Sequence, residues 1–260
     1  MAQAPSTKKT KIGLEYEGQV LRIVLASPPG NILDAQTMTE IVTAIDFHES
    51  NKDIKAVVFE GEGKHYCFGA SVEEHQKNRA PEMIASFHGM FKKLLSFGAP
   101  LISLVRGQCL GGGMELASFC NFIIAEPSAK FGQPEIQLAV LPPVAAVILP
   151  GIIGQLRADD LVLTGRSIDA QTANRWGLVS QVAEDGESAL DDFLKKHILP
   201  KSAQALRHAN RAVRREWFEQ LSHKLDRMER AYVDDLMNSF DANEGIEAFL
   251  EKRKPQWKNR

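Results

Sequence analysis

The stretch from Leu104 to Gln137 constrains this chain most, because it sets acidic side chains within an apolar segment broken by glycine. An apolar strand leads to three successive glycines, Gly111 to Gly113, and then to an apolar segment that carries Glu115. A second strand and a turn lead on to Glu135. Uncovered backbone N–H groups at a helix start bind negative charge. Such donors beside two carboxylates suit acyl chemistry, because the donors hold a developing oxyanion while the carboxyl groups move protons.

Each part of this pattern is weak when it is taken alone. Most glycine runs are turns, and a lone glutamate near apolar residues is more often a half-exposed helix residue than a catalyst. Glu115, however, lies in the segment Met114 to Cys120, which we expect to be buried. An unpaired buried carboxylate is costly, so the combination favours a functional site.

Composition indicates a globular protein of one large or two small domains: 260 residues, 44% apolar and 25% charged. The formal net charge of -2 predicts no nucleic-acid partner and no attraction to an acidic membrane. The cysteines are odd in number and match no zinc pattern, so we expect buried free thiols and no metal at Cys67, Cys109 and Cys120. No apolar run reaches transmembrane length, and the polar N-terminus has no signal-peptide core, so we expect a cytoplasmic protein.

The order of elements predicts an α/β architecture, because strand, loop and helix recur three times in the middle of the chain. Residues 1–10 are expected to be a disordered lead. The predicted elements are a hairpin of Ile12 to Tyr16 and Val20 to Leu25, a helix capped by Asp34 and running to about His48, strands at Ala56 to Phe59, Leu101 to Val105, Phe122 to Ala125 and near Leu178 to Val182, and a helix from about Pro81 to Phe97. The apolar run Leu138 to Ile153, which prolines interrupt, could line a pocket or belong to the core.

The last sixty residues read as helix throughout, and we expect a helical module over residues 201–260. Its predicted helices are Ala203 to Trp217, Leu221 to Asn238 and Asn243 to Lys252. Its basic residues are expected on solvated faces, with a phosphate contact as the lesser alternative; they are Arg207, Arg211, Arg214, Arg215, Lys252, Arg253 and Lys254.

Several motifs of other enzyme classes are missing from the sequence. It contains no Gly-x-x-x-x-Gly-Lys phosphate loop, no Gly-x-Gly-x-x-Gly after a strand, no Gly-x-Ser-x-Gly elbow and no His-Glu-x-x-His pair. These absences argue against nucleotide hydrolysis, simple dehydrogenase chemistry and serine hydrolysis.

Three ordered segments resemble the crotonase (enoyl-CoA hydratase/isomerase) superfamily: Cys67–Ser71 (CFGAS), Gly107–Ala117 (GQCLGGGMELA) and Phe131–Glu135 (FGQPE). The resemblance runs from near Ile12 to the closing helix at Glu244–Pro255. It implies a spiral of β-β-α units over residues 11–200, followed by a helical trimerisation region. It further implies an acyl-CoA thioester substrate, no cofactor beyond that CoA, and a homotrimer or a hexamer built from two trimers.

The resemblance also implies roles for single residues. The oxyanion-hole N–H groups would be those of Ala70 and Gly112, and the catalytic pair of the hydratases matches Glu115 and Glu135. Both carboxylates together favour hydration over isomerisation or thioester hydrolysis. The expected substrate contacts are Gly69, Ser71, Val72, Gly111, Pro142 and Pro143.

The chain departs from the usual family pattern at a few positions. Ser71 stands where aspartate is common and Glu73 where lysine is frequent, which puts CoA contacts from those two side chains in doubt. The segment Leu141–Ala146 carries two prolines where straight-chain hydratases have a glycine-rich turn, so a stiffer and differently shaped acyl pocket is expected.

That segment and Pro29–Asp34 are similar to hydratases of alicyclic dienoyl-CoA esters in anaerobic aromatic degradation, the cyclohexa-1,5-diene-1-carbonyl-CoA hydratases. The predicted function is therefore hydration of such a dienoyl-CoA. Two alternatives stay open. The first is a straight-chain enoyl-CoA hydratase or isomerase of β-oxidation. The second is a non-catalytic binding protein, including one that binds RNA through its basic helical face.

Overall fold

The computed structural model describes residues 8–260. The predicted disordered lead over residues 1–10 therefore lies outside the described residues, except for its last three positions. Those positions run directly into the first strand, which begins at Thr10, two residues before its predicted start. The backbone N–H groups of Lys9 and Thr10 donate to the Glu40 carboxylate, at distances of 3.0 and 2.8 Å, and so attach this end of the chain to the first helix.

Strands and helices are interspersed over residues 10–182, and among the described residues only helices follow, up to residue 250. The strands are β1 (Thr10–Glu15), β2 (Val20–Leu25), β3 (Ala56–Gly61), β4 (Leu101–Val105), β5 (Gln108–Leu110), β6 (Phe122–Ala125), β7 (Lys130–Gly132), β8 (Ser167–Asp169) and β9 (Gln181–Val182). The α-helices are α1 (Ala35–Phe47), α2 (Ala80–Phe97), α3 (Gly112–Phe119), α4 (Pro143–Ile153), α5 (Gln155–Thr164), α6 (Ala170–Arg175), α7 (Gly186–Phe193), α8 (Ala203–Val213), α9 (Arg215–Arg230) and α10 (Phe240–Leu250). Short 3₁₀ helices cover Val72–His75, Pro134–Leu138 and Leu236–Asn238, and π-helical turns cover Leu194–Ile198 and Ala231–Asp235.

Two sheets organise the first two thirds of the chain. The larger has the strand order β1-β2-β3-β4-β6-β9, in which β1 pairs antiparallel with β2 and every later neighbour is parallel. The smaller has the order β5-β7-β8. Strands β3 and β4 are buried along their whole length, as the continuous apolar runs of parallel strands require. The predicted α/β architecture with recurring strand and helix units is confirmed.

Successive turns of the chain stack in register, and this stacking builds the site. Cys67 bridges Cys109 in parallel fashion, and the Leu110 N–H donates to the Cys67 carbonyl at 2.9 Å. Three residues further along each turn, Ala70 and Gly112 therefore occupy corresponding positions. In the following turn β5 pairs with β7, and the 3₁₀ helix that carries Glu135 begins just after β7.

Most predicted elements are present near their predicted bounds. The Asp34 side chain accepts the Thr37 N–H at 2.9 Å and caps α1 as expected. The strand predicted from Leu178 to Val182 is wrong in length, because only β9 pairs with β6. The Leu178 and Val179 N–H groups instead donate to the Ala173 carbonyl and complete the end of α6.

The C-terminal region is helical as predicted, but its first break lies at Arg214 and not after Trp217. Arg214 is half-buried and donates to the carbonyls of Phe119 and Cys120 at 2.6 and 2.8 Å. Arg207 similarly donates to the carbonyls of Phe97, Asn51 and Ile54. The expected solvated position is therefore wrong for these two arginines, because their side chains tie the helices to the core.

Three further expectations concern thiols, metals and membranes. The three cysteines are buried free thiols, as predicted. Within residues 8–260, no group of three or more His, Cys, Asp or Glu side chains is arranged to hold a metal ion. Over the same residues, the helices fall short of the length and apolar character that crossing a bilayer requires.

Candidate active site

A cavity of about 300 Å³ lies where the stacked turns meet α2, α4 and α10. Most of the side chains that line it are apolar. Nine of the predicted site residues line it: Gly69, Ala70, Val72, Gly111, Gly112, Glu115, Glu135, Pro142 and Pro143. Ser71 is not among the lining residues, and its backbone carbonyl lies 2.7 Å from His75 Nδ1. A substrate contact from Ser71 stays a prediction.

Glu115 lies on α3, a helix whose eight residues are all buried. Its side chain reaches the start of α4, where the backbone N–H groups of Val144 and Ala145 both donate to Glu115 Oε1 at 2.8 Å. Pro143 is the first residue of α4 and has no N–H, so these are the first two donors that the helix offers. The positive end of the helix dipole thus faces a buried carboxylate.

Burial raises the pKa of Glu115 from 4.5 to about 7, although the hydrogen bonds from Ala145 and Val144 oppose this shift. The pKa of Glu135 is raised well above its ordinary value, first by burial and then by the negative charge of Glu115. Two carboxyl groups that face one apolar cavity and repel each other titrate as a pair. Such a pair retains a proton at pH values where exposed carboxyl groups have lost theirs.

Gly111 gives Glu135 the room that it needs. Gly111 has a φ of +50°, and a Cβ atom built on it would lie 2.6 Å from Glu135 Oε1. Any side chain at this position would displace the Glu135 carboxyl group, and the backbone conformation itself favours glycine. The Gly111 N–H donates to the Gly132 carbonyl at 2.9 Å, so the same residue also joins the two turns that carry the two carboxyl groups.

The backbone nitrogens of Ala70 and Gly112 lie on the same side of the cavity. A Cβ atom built on Gly112 would lie 3.1 Å from the Ala70 nitrogen, and one built on Gly69 would lie 3.5 Å from the Gly112 nitrogen. Gly112 is the first residue of α3, so its N–H has no partner within that helix. Two donors from adjacent turns can therefore point to one acceptor atom in the cavity.

Sequence reasoning missed two groups that act on the carboxyl pair. The first is the pair of N–H groups at the start of α4; the proline at the first helical position was the available signal. The second is Gln133, which is fully buried. With its amide nitrogen turned toward Glu135, that nitrogen lies 3.1 and 3.2 Å from the two carboxyl oxygens. The sequence offered no signal for this contact beyond its position two residues before Glu135.

Comparisons with known proteins identify relatives of this chain. The family model for enoyl-CoA hydratase/isomerase matches residues 15–260. The chain is 44% identical to "Cyclohexa-1,5-dienecarbonyl-CoA hydratase" of Thauera aromatica over 250 residues, which cover 96% of this chain and 97% of that protein. It is 38% identical to a "Probable enoyl-CoA hydratase" of Mycobacterium tuberculosis over 256 residues, covering 95% and 97% of the two chains. The solved structure of an enoyl-CoA hydratase from Mycobacterium avium superposes with a TM-score of 0.85 at 25% identity, covering 97% of this chain and all (100%) of that one.

Proposed function

The chain belongs to the enoyl-CoA hydratase/isomerase family, and on that basis we propose that it is a hydro-lyase that adds water to a conjugated dienoyl-CoA thioester, cyclohexa-1,5-diene-1-carbonyl-CoA. The observation that carries the reaction type is the carboxyl pair, in which Glu115 is buried and Glu135 is half-buried. Glu115 and Glu135 line one cavity beside the Ala70 and Gly112 nitrogens. A reaction that moves two protons and builds charge on a thioester oxygen needs this set of groups.

Each group has a distinct role in the proposed reaction. The thioester oxygen accepts hydrogen bonds from the Ala70 and Gly112 N–H groups, which strengthen as the oxygen gains charge. The start of α4 stabilises the ionised form of Glu115, so we assign the negative charge to Glu115 and the retained proton to Glu135. Glu115 takes a proton from water as the water oxygen bonds to the alkene. Glu135 gives its proton to carbon, so the alkene gains the elements of one water molecule, and return of a proton from Glu115 to Glu135 restores the starting pair.

The cyclic substrate is supported by similarity and by the shape of the cavity wall. The 44% identity to the Thauera aromatica hydratase extends over 96% of this chain. The cavity is apolar over most of its lining, and Leu141, Pro142 and Pro143 form one side of it. Because prolines hold this side in one conformation, a rigid ring is a better match than a flexible linear chain.

A comparison of two thioesters tests the proposal. We expect the purified protein to hydrate cyclohexa-1,5-diene-1-carbonyl-CoA with a higher kcat/KM than crotonyl-CoA, measured by the loss of enoyl absorbance. A strong preference for crotonyl-CoA would instead make the protein a straight-chain hydratase. No turnover of either ester, with retained thioester binding, would favour a binding protein. Activity should persist after treatment with a chelator, since the proposed reaction uses no metal ion and no cofactor beyond the CoA of the substrate.

We also propose that the protein assembles as a homotrimer or as a hexamer of two trimers. Among residues 8–260, four large apolar side chains on helices are more than 60% exposed: Phe47 (80%), Leu156 (85%), Leu163 (68%) and Val213 (82%). Burial of such side chains against another chain would remove apolar surface from water and so favour assembly. Light scattering on the purified protein measures the assembly directly. A monomer at micromolar concentration would contradict this proposal without affecting the proposed reaction.

A further inference from the structure

The hydroxyl group of Tyr232 is buried without a hydrogen-bond partner. Tyr232 is 0% exposed, and its oxygen makes no hydrogen bond to any group within residues 8–260. A buried polar group that lacks a partner costs free energy, and native proteins retain few of them. Phenylalanine would fill the same volume without that cost. The hydroxyl group therefore does not stabilise the fold, which indicates that it has another role.

The surroundings of Tyr232 connect it to the carboxyl pair. Its ring lies edge-on to His75, with ring centroids 6.3 Å apart, and His75 lines the cavity. Burial raises the pKa of Tyr232, and the charges of Glu135 and Glu115 raise it further. The hydroxyl thus lies within electrostatic reach of both carboxyl groups and keeps its proton. It makes no direct hydrogen bond to either one among the described residues.

We propose that Tyr232 is a positioning residue of this site, whose hydroxyl donates a hydrogen bond to the water molecule that Glu115 and Glu135 share. A water molecule spans polar groups that are near each other but outside direct hydrogen-bond distance. Each of its two O–H groups can donate a hydrogen bond to an oxygen of one carboxyl group. One lone pair then accepts the phenolic proton, and the other is left to attack the alkene. No proton leaves Tyr232 in this arrangement, so the stoichiometry of the reaction is unchanged.

This inference rests on the proposed hydratase function, and Tyr232→Phe tests it. The substitution removes the donor and keeps the ring. We expect kcat for the preferred enoyl ester to fall about tenfold, the effect of one neutral hydrogen bond. We expect KM to stay within about twofold, and the affinity for cyclohexane-1-carbonyl-CoA, the saturated analogue, to be unchanged. Without ligand, the melting temperature should be equal or higher, since an unsatisfied buried group has been removed.

Tyr66→Phe is the matched control. Tyr66 is also 0% exposed, but its hydroxyl lies 2.9 Å from Ser103 Oγ and so has a partner. This variant should have a lower melting temperature and a normal kcat, the opposite pattern to Tyr232→Phe.

Two results would overturn the role of Tyr232: a normal kcat in Tyr232→Phe, or a loss of stability or folding in that variant, which would make the hydroxyl structural. These outcomes are distinct from failure of the proposed function, in which the unsubstituted protein itself hydrates neither enoyl ester.

Discussion

Glu115 Oε1 accepts the backbone N–H of Ala145 at 2.8 Å, which ties the carboxyl group on α3 to the first turn of α4. The two residues are 30 positions apart in the chain. The sequence predicts that the prolines before Ala145 form the wall of a substrate pocket. They line the cavity, and Pro143 also begins the helix whose N–H groups orient Glu115. The two prolines that replace the family's glycine-rich turn therefore affect the ionisation of Glu115 as well as the shape of the pocket.

Replacing Ala145 with proline tests this relationship. Proline is tolerated in the first turn of a helix, and the substitution removes the N–H that Glu115 accepts. Because that hydrogen bond lowers the pKa of Glu115, the pKa should rise above its present value of about 7. We expect the acid limb of the kcat/KM profile to move to higher pH and kcat at neutral pH to fall about tenfold. A pH–rate profile measures both effects.

Ala145→Gly is the control for that substitution, because it removes the methyl group and keeps the N–H. Its acid limb should coincide with that of the unsubstituted protein. An equal displacement in the glycine and proline variants would show that the side chain, and not the donor, controls the carboxyl pair.

Amide substitution of each catalytic candidate provides a second prediction. Glu115→Gln can still accept from Val144 and Ala145 through its carbonyl oxygen, but it cannot take a proton. Glu135→Gln cannot give one to carbon. Each variant should lose hydration activity by about a hundredfold or more, the usual contribution of a positioned acid or base. Acyl-CoA affinity, measured by calorimetry with a saturated thioester, should be retained. Near-normal turnover in either variant would contradict the pairing.

The same Glu115→Gln substitution should stabilise the protein at high pH. The pKa of Glu115 is about 7 in the folded chain against an ordinary 4.5, so between these values the folded state holds a proton that the unfolded state has lost. The free energy of unfolding then decreases as pH rises through this window. At about pH 8 the variant should exceed the unsubstituted protein by up to about 3 kcal/mol, and the difference should vanish near pH 4. Urea unfolding at both pH values measures it; a difference that is independent of pH would refute the buried-carboxyl account.

Sequence signals that act within a few residues were sufficient to predict the first elements of the fold. The hairpin of β1 and β2 follows from alternation around a glycine turn, and the start of α1 follows from the Asp34 cap, because both signals act within a few residues. The helix break at Arg214 could not be predicted in this way. It coincides with hydrogen bonds from Arg214 to two carbonyl groups that precede it by 94 and 95 positions. Tertiary contacts of this kind override local propensity.

In the candidate site as well, the sequence predicts the residues that lie in short motifs and misses those that tertiary structure brings together. Family resemblance located Glu115, Glu135 and the two glycine-rich turns, since those residues lie in short motifs. The partners of the carboxyl groups were missed, because they depend on how the turns stack. The contact between Gln133 and Glu135 depends on which way the Gln133 amide group is turned, and no sequence pattern encodes that orientation. Tyr232, which we propose as a positioning residue, lies in a π-helical turn almost 100 residues after Glu135, and no motif marks it.

The last prediction concerns a substitution that would cover the backbone N–H groups of Ala70 and Gly112. A methyl group on Gly112 would lie 3.1 Å from the Ala70 nitrogen and 3.3 Å from the Phe87 ring, so Gly112→Ala should displace or shield the N–H groups that we assign to the thioester oxygen. We expect kcat to fall on the order of a hundredfold, as for loss of one oxyanion-hole donor. Gly89→Ala is the matched control, because that exposed glycine of α2 has no atom within 4 Å of an added Cβ. It should keep full activity and gain up to about 1 kcal/mol of stability from helix propensity. Equal activity in the two variants would contradict an oxyanion role for Gly112, since only its added methyl group reaches the donors.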